Sequence, residues 1–129
     1  MTNDASTALA DRFTDLACLT YGGDHVSRRQ QADGMLAATP DIGAATPYAA
    51  ATAFDVAAIR ACLQADAGYA ARAGGPRAWP PLMYLCYSRT IENPPRRDAM
   101  TCARLLLEAG APADAFIVDE RIGGWRTGF

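Results

Sequence analysis

Four cysteines and a single histidine are the side chains of this chain best suited to nucleophilic or metal chemistry. A thiolate beside an imidazole can act as a nucleophile, and Cys86 or Cys102 with His25 as base would form such a pair. The cysteines, Cys18, Cys62, Cys86 and Cys102, are far apart, and none forms the C-x-x-C pair of a zinc site. We therefore predict structural thiols on the apolar sides of helices in a reducing cytoplasm, with no metal and no cofactor.

Carboxylates and paired glycines do not complete a catalytic constellation. No two carboxylates among Asp98, Asp114, Asp119 and Glu120 have the spacing for acid–base work on one helix face. The Gly-Gly pairs lie at predicted boundaries between units, where glycine provides turn geometry rather than a phosphate-binding loop. His25 follows a candidate helix cap and is predicted to be exposed. The chain is thus predicted not to be an enzyme, with a small cysteine-dependent enzyme or redox sensor as the alternative.

Aromatic and arginine side chains point instead to recognition. Tyrosine, tryptophan and arginine dominate the energetics of protein interfaces, and several of them cluster near the predicted starts of the second and third helical units. In an alternative interpretation, Tyr84 and Tyr87 bury their rings between helices and extend their hydroxyls toward solvent. The candidate partner-binding residues are Tyr48, Arg77, Trp79, Tyr84, Tyr87, Arg89, Arg96 and Arg97.

Those candidates would be positioned by a chain that repeats part of its own sequence. Residues 59–67 match residues 103–111 at a shift of 44 positions, which places Leu63 on Leu107. Other matches occur at shifts of 27, 34 and 66 positions, the last of which is about two units of 33. Repeated units predict an array that binds through a surface rather than one that catalyses in a pocket.

Two motifs resemble the ankyrin-repeat family. Residues 105–111, Leu-Leu-Leu-Glu-Ala-Gly-Ala, resemble the end of the family's second helix and its glycine turn. Residues 46–49, Thr-Pro-Tyr-Ala, and 80–83, Pro-Pro-Leu-Met, stand where the family begins its first helix with Thr-Pro-Leu-His. Both lack the histidine, and the second also lacks the threonine. The resemblance covers about residues 13–115 and implies a short, divergent, bacterial-type array.

Composition and charge agree with a helical domain that does not bind nucleic acid. The chain has 129 residues, enough for one domain with a core, and half of the residues are hydrophobic. All 12 basic residues are arginine, which we attribute to a GC-rich genome. The net charge of −2 and pI near 5.2 argue against a nucleic-acid partner. No segment has the length and apolarity of a membrane span or the pattern of a signal peptide.

Hydrophobic spacing and helix-end signals predict an all-α, ankyrin-like solenoid of about three antiparallel helix pairs. Its single domain would contain units at about residues 7–40, 41–75 and 76–115. The predicted helices cover about residues 7–21, 25–38, 47–54, 55–64, 81–88 and 98–109. Asp24 and Asp55 are predicted to cap the helices that follow them. Leu63 and Leu107 are predicted to be buried between neighbouring pairs, on stripes that include Met100.

Two segments depart from a regular array. Residues 89–97 form an insertion between the helices of the third pair, and such loops carry function more often than scaffolds do, although a tolerated surface loop is the alternative. Residues 116–129 are either the start of an incomplete further unit or a tail. This apolar segment is predicted to fold back over the last helix or to join another copy in a homodimer through the C-terminal end; a fragment of a longer protein is a further alternative.

The function predicted from these observations is that of a protein–protein interaction module in the cytoplasm. Its unidentified protein partner would bind the concave helix face, the turn tips and residues 89–97. The alternative is a self-associating structural module. Neither nucleic acid nor a membrane is predicted as a partner.

Overall fold

The computed structural model describes residues 4–20, 22–112, 116–119 and 125–128, with side chains for residues 5–20 and 22–112. The described chain is mostly helical, as predicted. Its helices are α1 (Asp4–Ala17), α2 (Val26–Ala38), α3 (Pro47–Thr52), α4 (Val56–Ala65), α5 (Pro81–Tyr87) and α6 (Ala99–Glu108). Short 3-10 turns cover Ile42–Ala44 and Tyr69–Ala71.

The C-terminal segment forms a feature that the sequence analysis did not predict. Strand β1 (Phe116–Asp119) pairs antiparallel with β2 (Trp125–Gly128), and Phe116 lies opposite Gly128. The predictions of a folded-back tail and of a C-terminal dimer concern side chains at 116–129 that lie outside the described residues.

Side-chain caps begin three of the helices. The carboxylate of Asp55 accepts a hydrogen bond from the Ala58 amide at 3.0 Å, which confirms the predicted cap of α4. Asp98 caps α6 in the same manner, and the Thr46 hydroxyl accepts from the Ala49 amide at the start of α3. Each cap satisfies one of the amides that the first turn of a helix leaves without a partner. The prediction for Asp24 was wrong, because its carboxylate binds an arginine and leaves α2 without a side-chain cap.

The helices pack as pairs that also contact one another. Helix α1 packs on α2, α3 on α4 and α5 on α6, while α3 contacts both α1 and α5 and α4 contacts α6. The segments that follow α1 and α5 are also joined directly. The Leu19 amide donates to the Tyr87 carbonyl at 2.9 Å, and the Arg89 amide donates to the Ala17 carbonyl at 3.0 Å. The first and third pairs therefore touch without the second between them, which a strictly linear array does not allow.

Helix α6 faces the core through a stripe that differs from the predicted one at Met100 and Leu107. Cys102 and Leu106 are buried, whereas Leu107 is 45% exposed and Met100 is 71% exposed. Leu63, the repeat equivalent of Leu107, is half-buried. Helix α6 packs on α4 and α5 from one side only, so its outer flank stays in solvent.

The observed burial predicts that two adjacent leucines contribute very differently to stability. Leu106→Ala should lower the free energy of unfolding by about 3 kcal/mol, because it leaves a cavity in a fully buried position. Leu107→Ala should change it by less than about 0.5 kcal/mol, as surface substitutions do. Urea unfolding of the two variants measures both values, and similar losses in the two would contradict the described packing of α6.

Candidate functional site

The predicted aromatic recognition surface is instead part of the core. Tyr84 is fully buried, and Trp79 and Tyr87 are each only 8% exposed, while Tyr48 is half-buried beside them. The Trp79 ring centroid lies 5.2 Å from that of Tyr84 and 5.0 Å from that of Tyr87. Large rings bury much apolar area and pack favourably in tilted pairs, so they stabilise the helices rather than offering a surface to a partner. The alternative prediction of buried rings at Tyr84 and Tyr87 is confirmed, but the Tyr84 hydroxyl bonds to backbone groups instead of extending toward solvent.

The Tyr84 hydroxyl holds a tight turn formed by residues 74–79. It donates to the Gly74 carbonyl at 2.6 Å and accepts from the Arg77 amide at 2.9 Å. Gly74 and Trp79 close the turn with two backbone hydrogen bonds of 3.1 and 3.2 Å. Burial raises the pKa of Tyr84 to about 12, so its hydroxyl stays protonated and able to donate.

Arg77 extends from this turn to the C-terminal end of α1. Its Nε donates to the Asp15 carboxylate at 2.9 Å, and its Nη atoms donate to the carbonyls of Asp15, Cys18 and Leu19 at 2.8 to 3.1 Å. The guanidinium also lies 4.9 Å from the centroid of the Trp79 ring. A cation at this position satisfies carbonyls that the end of a helix leaves free. Arg77, predicted to bind a partner, is engaged in joining the third unit to the first.

Arg89 is also engaged within the molecule. Its two Nη atoms bind the two Asp24 carboxylate oxygens at 2.9 and 2.8 Å, in the bidentate geometry that makes such pairs strong. Arg28 lies between Asp24 and Asp15, at 3.9 and 3.6 Å from their oxygens, and extends the network to Arg77. The Asp24 carboxylate therefore fixes the side chain of Arg89, the first residue of the insertion.

The insertion at residues 89–97 is exposed at its centre and fixed at its ends. Residues 91–96 are all exposed. The Thr90 hydroxyl donates to the Thr52 carbonyl at 2.8 Å, and the Arg96 carbonyl accepts from the Val56 amide at 3.1 Å. The insertion thus runs from the start of α2 to the turn between α3 and α4, held by α3 and the first turn of α4.

The two last arginines of the insertion differ in their partners. Arg96 donates to the Asp41 carboxylate at 2.6 Å in an exposed ion pair. Arg97 donates through Nε to the Ile91 carbonyl at 3.3 Å, and no carboxylate among the described side chains lies within ion-pair distance of it. The backbone of Arg97 is fixed by two hydrogen bonds with Asn93, of 2.8 and 2.9 Å.

A cleft of about 210 Å³ separates the insertion from α2. Its apolar lining comes from both sides, and Ile91 beside it is 57% exposed. The Asp33 carboxylate borders the cleft, where its Oδ2 lies 3.9 Å from Arg29, beyond hydrogen-bond distance. Its Oδ1 is buried with no hydrogen-bond partner in the described chain. The lining residues are Asp33, Leu36, Ala37, Pro40, Ile91 and Arg97.

Of the residues predicted to bind a partner, only Arg97 lines this cleft. Sequence reasoning identified the insertion but missed the α2 side of the cleft. No sequence signal could have found it, because Asp33 and Leu36 are ordinary residues for a helix until a neighbouring segment lies against them. A second, open groove of about 430 Å³ lies between the start of α1 and the 3-10 turn at Ile42–Ala44.

The thiols lie in surroundings that favour the protonated form. Burial raises the pKa of Cys18 and of Cys102 to about 12, and partial desolvation also raises the pKa values of Cys62 and Cys86. A raised pKa lowers the fraction of reactive thiolate at neutral pH. Cys18 and Cys102 are buried as predicted, but the prediction for Cys86 was wrong, because its residue is exposed on α5.

His25 stands at the N-cap position of α2, exposed, and no described hydrogen bond joins it to a thiol. Within the described residues, no group of three or more histidine, cysteine or carboxylate side chains could hold a metal ion. Of the helices that the structure describes, none is both long and apolar enough to span a membrane.

Comparisons of the chain with protein-family models, curated proteins and solved structures find no match.

Proposed function

We propose that this chain is a non-catalytic protein–protein interaction module whose main binding surface is the insertion at residues 89–97 together with the neighbouring side of α2. The observation that carries the proposal is that residues 91–96 are exposed while the two ends of the insertion are held by hydrogen bonds to α3 and α4. Loops presented on a rigid scaffold are where binding residues concentrate.

Fixing the insertion in advance favours binding. A loop that is ordered only on association loses conformational entropy, and this loss weakens the complex. Thr90 and Arg96 are anchored at the two ends, and Asn93 pairs with Arg97 across the exposed turn. The exposed apolar side chain of Ile91 and the guanidinium of Arg97 would then meet a partner without reorganisation.

The proposed architecture remains an ankyrin-like array of three helix pairs. Its support is the central position of α3 between α1 and α5, the contact of α4 with α6, and the Thr46 cap at the start of α3. The direct contact between the segments after α1 and α5 would be a local departure from that array. The proposal places the chain in a reducing cytoplasm, in keeping with four free cysteines, and includes neither nucleic acid nor a membrane as partner.

The raised pKa values of the four thiols support a non-catalytic role over a cysteine-dependent enzyme or redox sensor. Nucleophilic and redox-sensing cysteines have lowered pKa values near cations or helix N-termini. In this proposal the buried aromatic rings have structural roles. Arg77 and Arg89, which bind carboxylates within the molecule, have structural roles as well. Arg96 and Arg97 keep the binding role predicted for them, and Ile91 joins them.

An affinity capture with two matched variants tests the proposed surface. Ile91→Asp places a charge on an exposed apolar residue of the insertion, and Met100→Asp does the same on α6. We expect Ile91→Asp to weaken the binding of a captured and purified partner at least tenfold, which is about 1.4 kcal/mol. Met100→Asp should leave it unchanged. Calorimetry with the purified partner measures both, and circular dichroism verifies that both variants fold.

The same variants address self-association, the second candidate function. Met100 and Leu107 are exposed, apolar and seven residues apart, so they lie on one flank of α6. A partner lost with Met100→Asp but kept with Ile91→Asp would contradict the role of the insertion. If that partner is the chain itself, as judged by a concentration-dependent mass in sedimentation, the chain is a self-associating module.

A further inference from the structure

We propose that the cleft between α2 and the insertion binds the C-terminal residue of a partner protein chain. The α-carboxylate of that residue would pair with the Arg97 guanidinium, its amide N–H would donate to the Asp33 carboxylate, and its aliphatic side chain would lie on the apolar lining. This inference rests on the proposed function and names the partner chemistry of that surface.

The size of the cleft fits one residue. Pockets for small-molecule ligands typically measure about 300–1,000 Å³. The cleft measures about 210 Å³ and is lined by aliphatic groups of Leu36, Ala37, Pro40 and Ile91. It can therefore take a single aliphatic side chain with its backbone.

The charges of the cleft are arranged for a ligand with a donor at one end and an anion at the other. Arg97 and Asp33 line the same cleft but do not approach within ion-pair distance of each other in the described structure. The Nη groups of Arg97 have no described hydrogen-bond acceptor, and the planar guanidinium matches a carboxylate with two parallel hydrogen bonds. At the opposite side, Asp33 Oδ2 has only the 3.9 Å approach of Arg29.

The two charged groups are held in place before a ligand binds. Arg97 is fixed through both of its backbone hydrogen bonds with Asn93 and through the bond from its Nε to the Ile91 carbonyl. Asp33 lies in the third turn of α2, a 13-residue helix. Backbones that are fixed on both sides of the cleft lower the entropy lost on binding, which allows recognition by few contacts.

A single C-terminal residue can contact the apolar lining, the Arg97 guanidinium and the Asp33 carboxylate together. In a C-terminal residue the amide N–H, the side chain and the carboxylate are attached to one Cα atom. In an internal acidic residue the carboxylate belongs to the side chain, so the aliphatic group must come from a neighbour and the pair needs more space. Backbone termini are a known mode of peptide recognition, in which the terminal carboxylate supplies specificity.

The test uses the full chain, labelled with ¹⁵N, and two synthetic probes. One probe is N-acetyl-Gly-Gly-Leu with a free carboxylate, and the other is the same peptide ending in an amide. We expect the acid to shift amide resonances at residues 33–39, 91 and 97, and we expect the amide to bind at least tenfold more weakly. Arg97→Gln should weaken binding of the acid at least tenfold. Arg104→Gln, which removes an exposed arginine on α6 that does not line the cleft, should change it less than twofold.

Three results would overturn the inference: equal binding of acid and amide, stronger binding of free leucine than of the peptide acid, or no binding at the solubility limit of the peptide. The proposed function is tested separately by partner capture with Ile91→Asp. If capture is lost in that variant while the peptide acid and amide behave alike, the insertion is an interaction surface of another specificity. If the acid binds at the cleft while capture is unchanged, the inference stands and the insertion is not the main partner surface.

Discussion

Replacing Arg77 with alanine should lower the free energy of unfolding by about 3 kcal/mol, because it removes four hydrogen bonds made by a largely buried cation. The side chain makes four hydrogen bonds, to the Asp15 carboxylate and to the carbonyls of Asp15, Cys18 and Leu19. Its truncation removes this donor from the Cys18 and Leu19 carbonyls, and it leaves Arg28 as the described side chain at the Asp15 carbonyl and carboxylate. Chemical unfolding followed by circular dichroism measures the loss.

Two further variants separate the geometry of Arg77 from its charge. Arg77→Lys keeps the charge but loses the planar guanidinium, whose N–H groups reach several carbonyls. It should therefore lower the free energy of unfolding by about half as much as Arg77→Ala does. Arg96→Ala removes an exposed ion pair with Asp41 and should cost less than about 1 kcal/mol. If Arg77→Ala and Arg96→Ala have the same small effect, the connection between the 74–79 turn and α1 does not contribute to stability as described.

Local signals in the sequence were sufficient to predict the helices. Apolar periodicity located six helices close to their observed positions, and Asp55 was correctly predicted to cap α4 because a carboxylate before a helix satisfies free amides. Asp24 carries the same local signal but binds Arg89, 65 residues later in the chain. A cap is a local interaction, and a better partner from elsewhere in the fold can displace it.

The roles of the aromatic and arginine residues could not be predicted in this way. Tyr84 and Trp79 are of residue types that are common in protein interfaces. The same residue types stabilise a core when neighbouring helices cover them. Whether they are covered depends on contacts between different units of the chain, which no periodicity encodes. Arg77 shows the same limit, since its partners lie about 60 residues earlier in the chain.

The candidate site was predictable in part. An insertion in a repeated unit was visible as extra length at residues 89–97, and it is exposed as a functional loop would be. Predicting the cleft would have required knowledge of where α2 lies relative to that insertion. Asp33 and Leu36 gain a candidate role only because Ile91 and Arg97 lie opposite them.

The glycine at position 75 gives the second large expected effect. Gly75→Ala should lower the free energy of unfolding by about 4 kcal/mol, as the sum of a left-handed backbone cost and of overpacking. Its φ is +72°, and an added Cβ would lie 2.8 Å from the Tyr84 hydroxyl oxygen and 3.0 Å from the Tyr48 Cβ. The hydroxyl cannot move away freely, because it is bonded to Gly74 and Arg77 and its ring is fully buried.

Gly23 provides a matched control for this substitution. It has the same φ of +72°, but no atom of the described residues lies within 4 Å of the position that a Cβ would take. Gly23→Ala should therefore show the backbone cost alone, about 1 kcal/mol. The difference between the two variants, about 3 kcal/mol, measures the steric contact between the 74–79 turn and the two tyrosines. Equal losses in urea unfolding would mean that the rings yield to the added methyl group. The Tyr84 hydroxyl would then not hold the turn rigidly, and the expected effect of Arg77→Ala, which depends on the same turn, would have to be smaller as well.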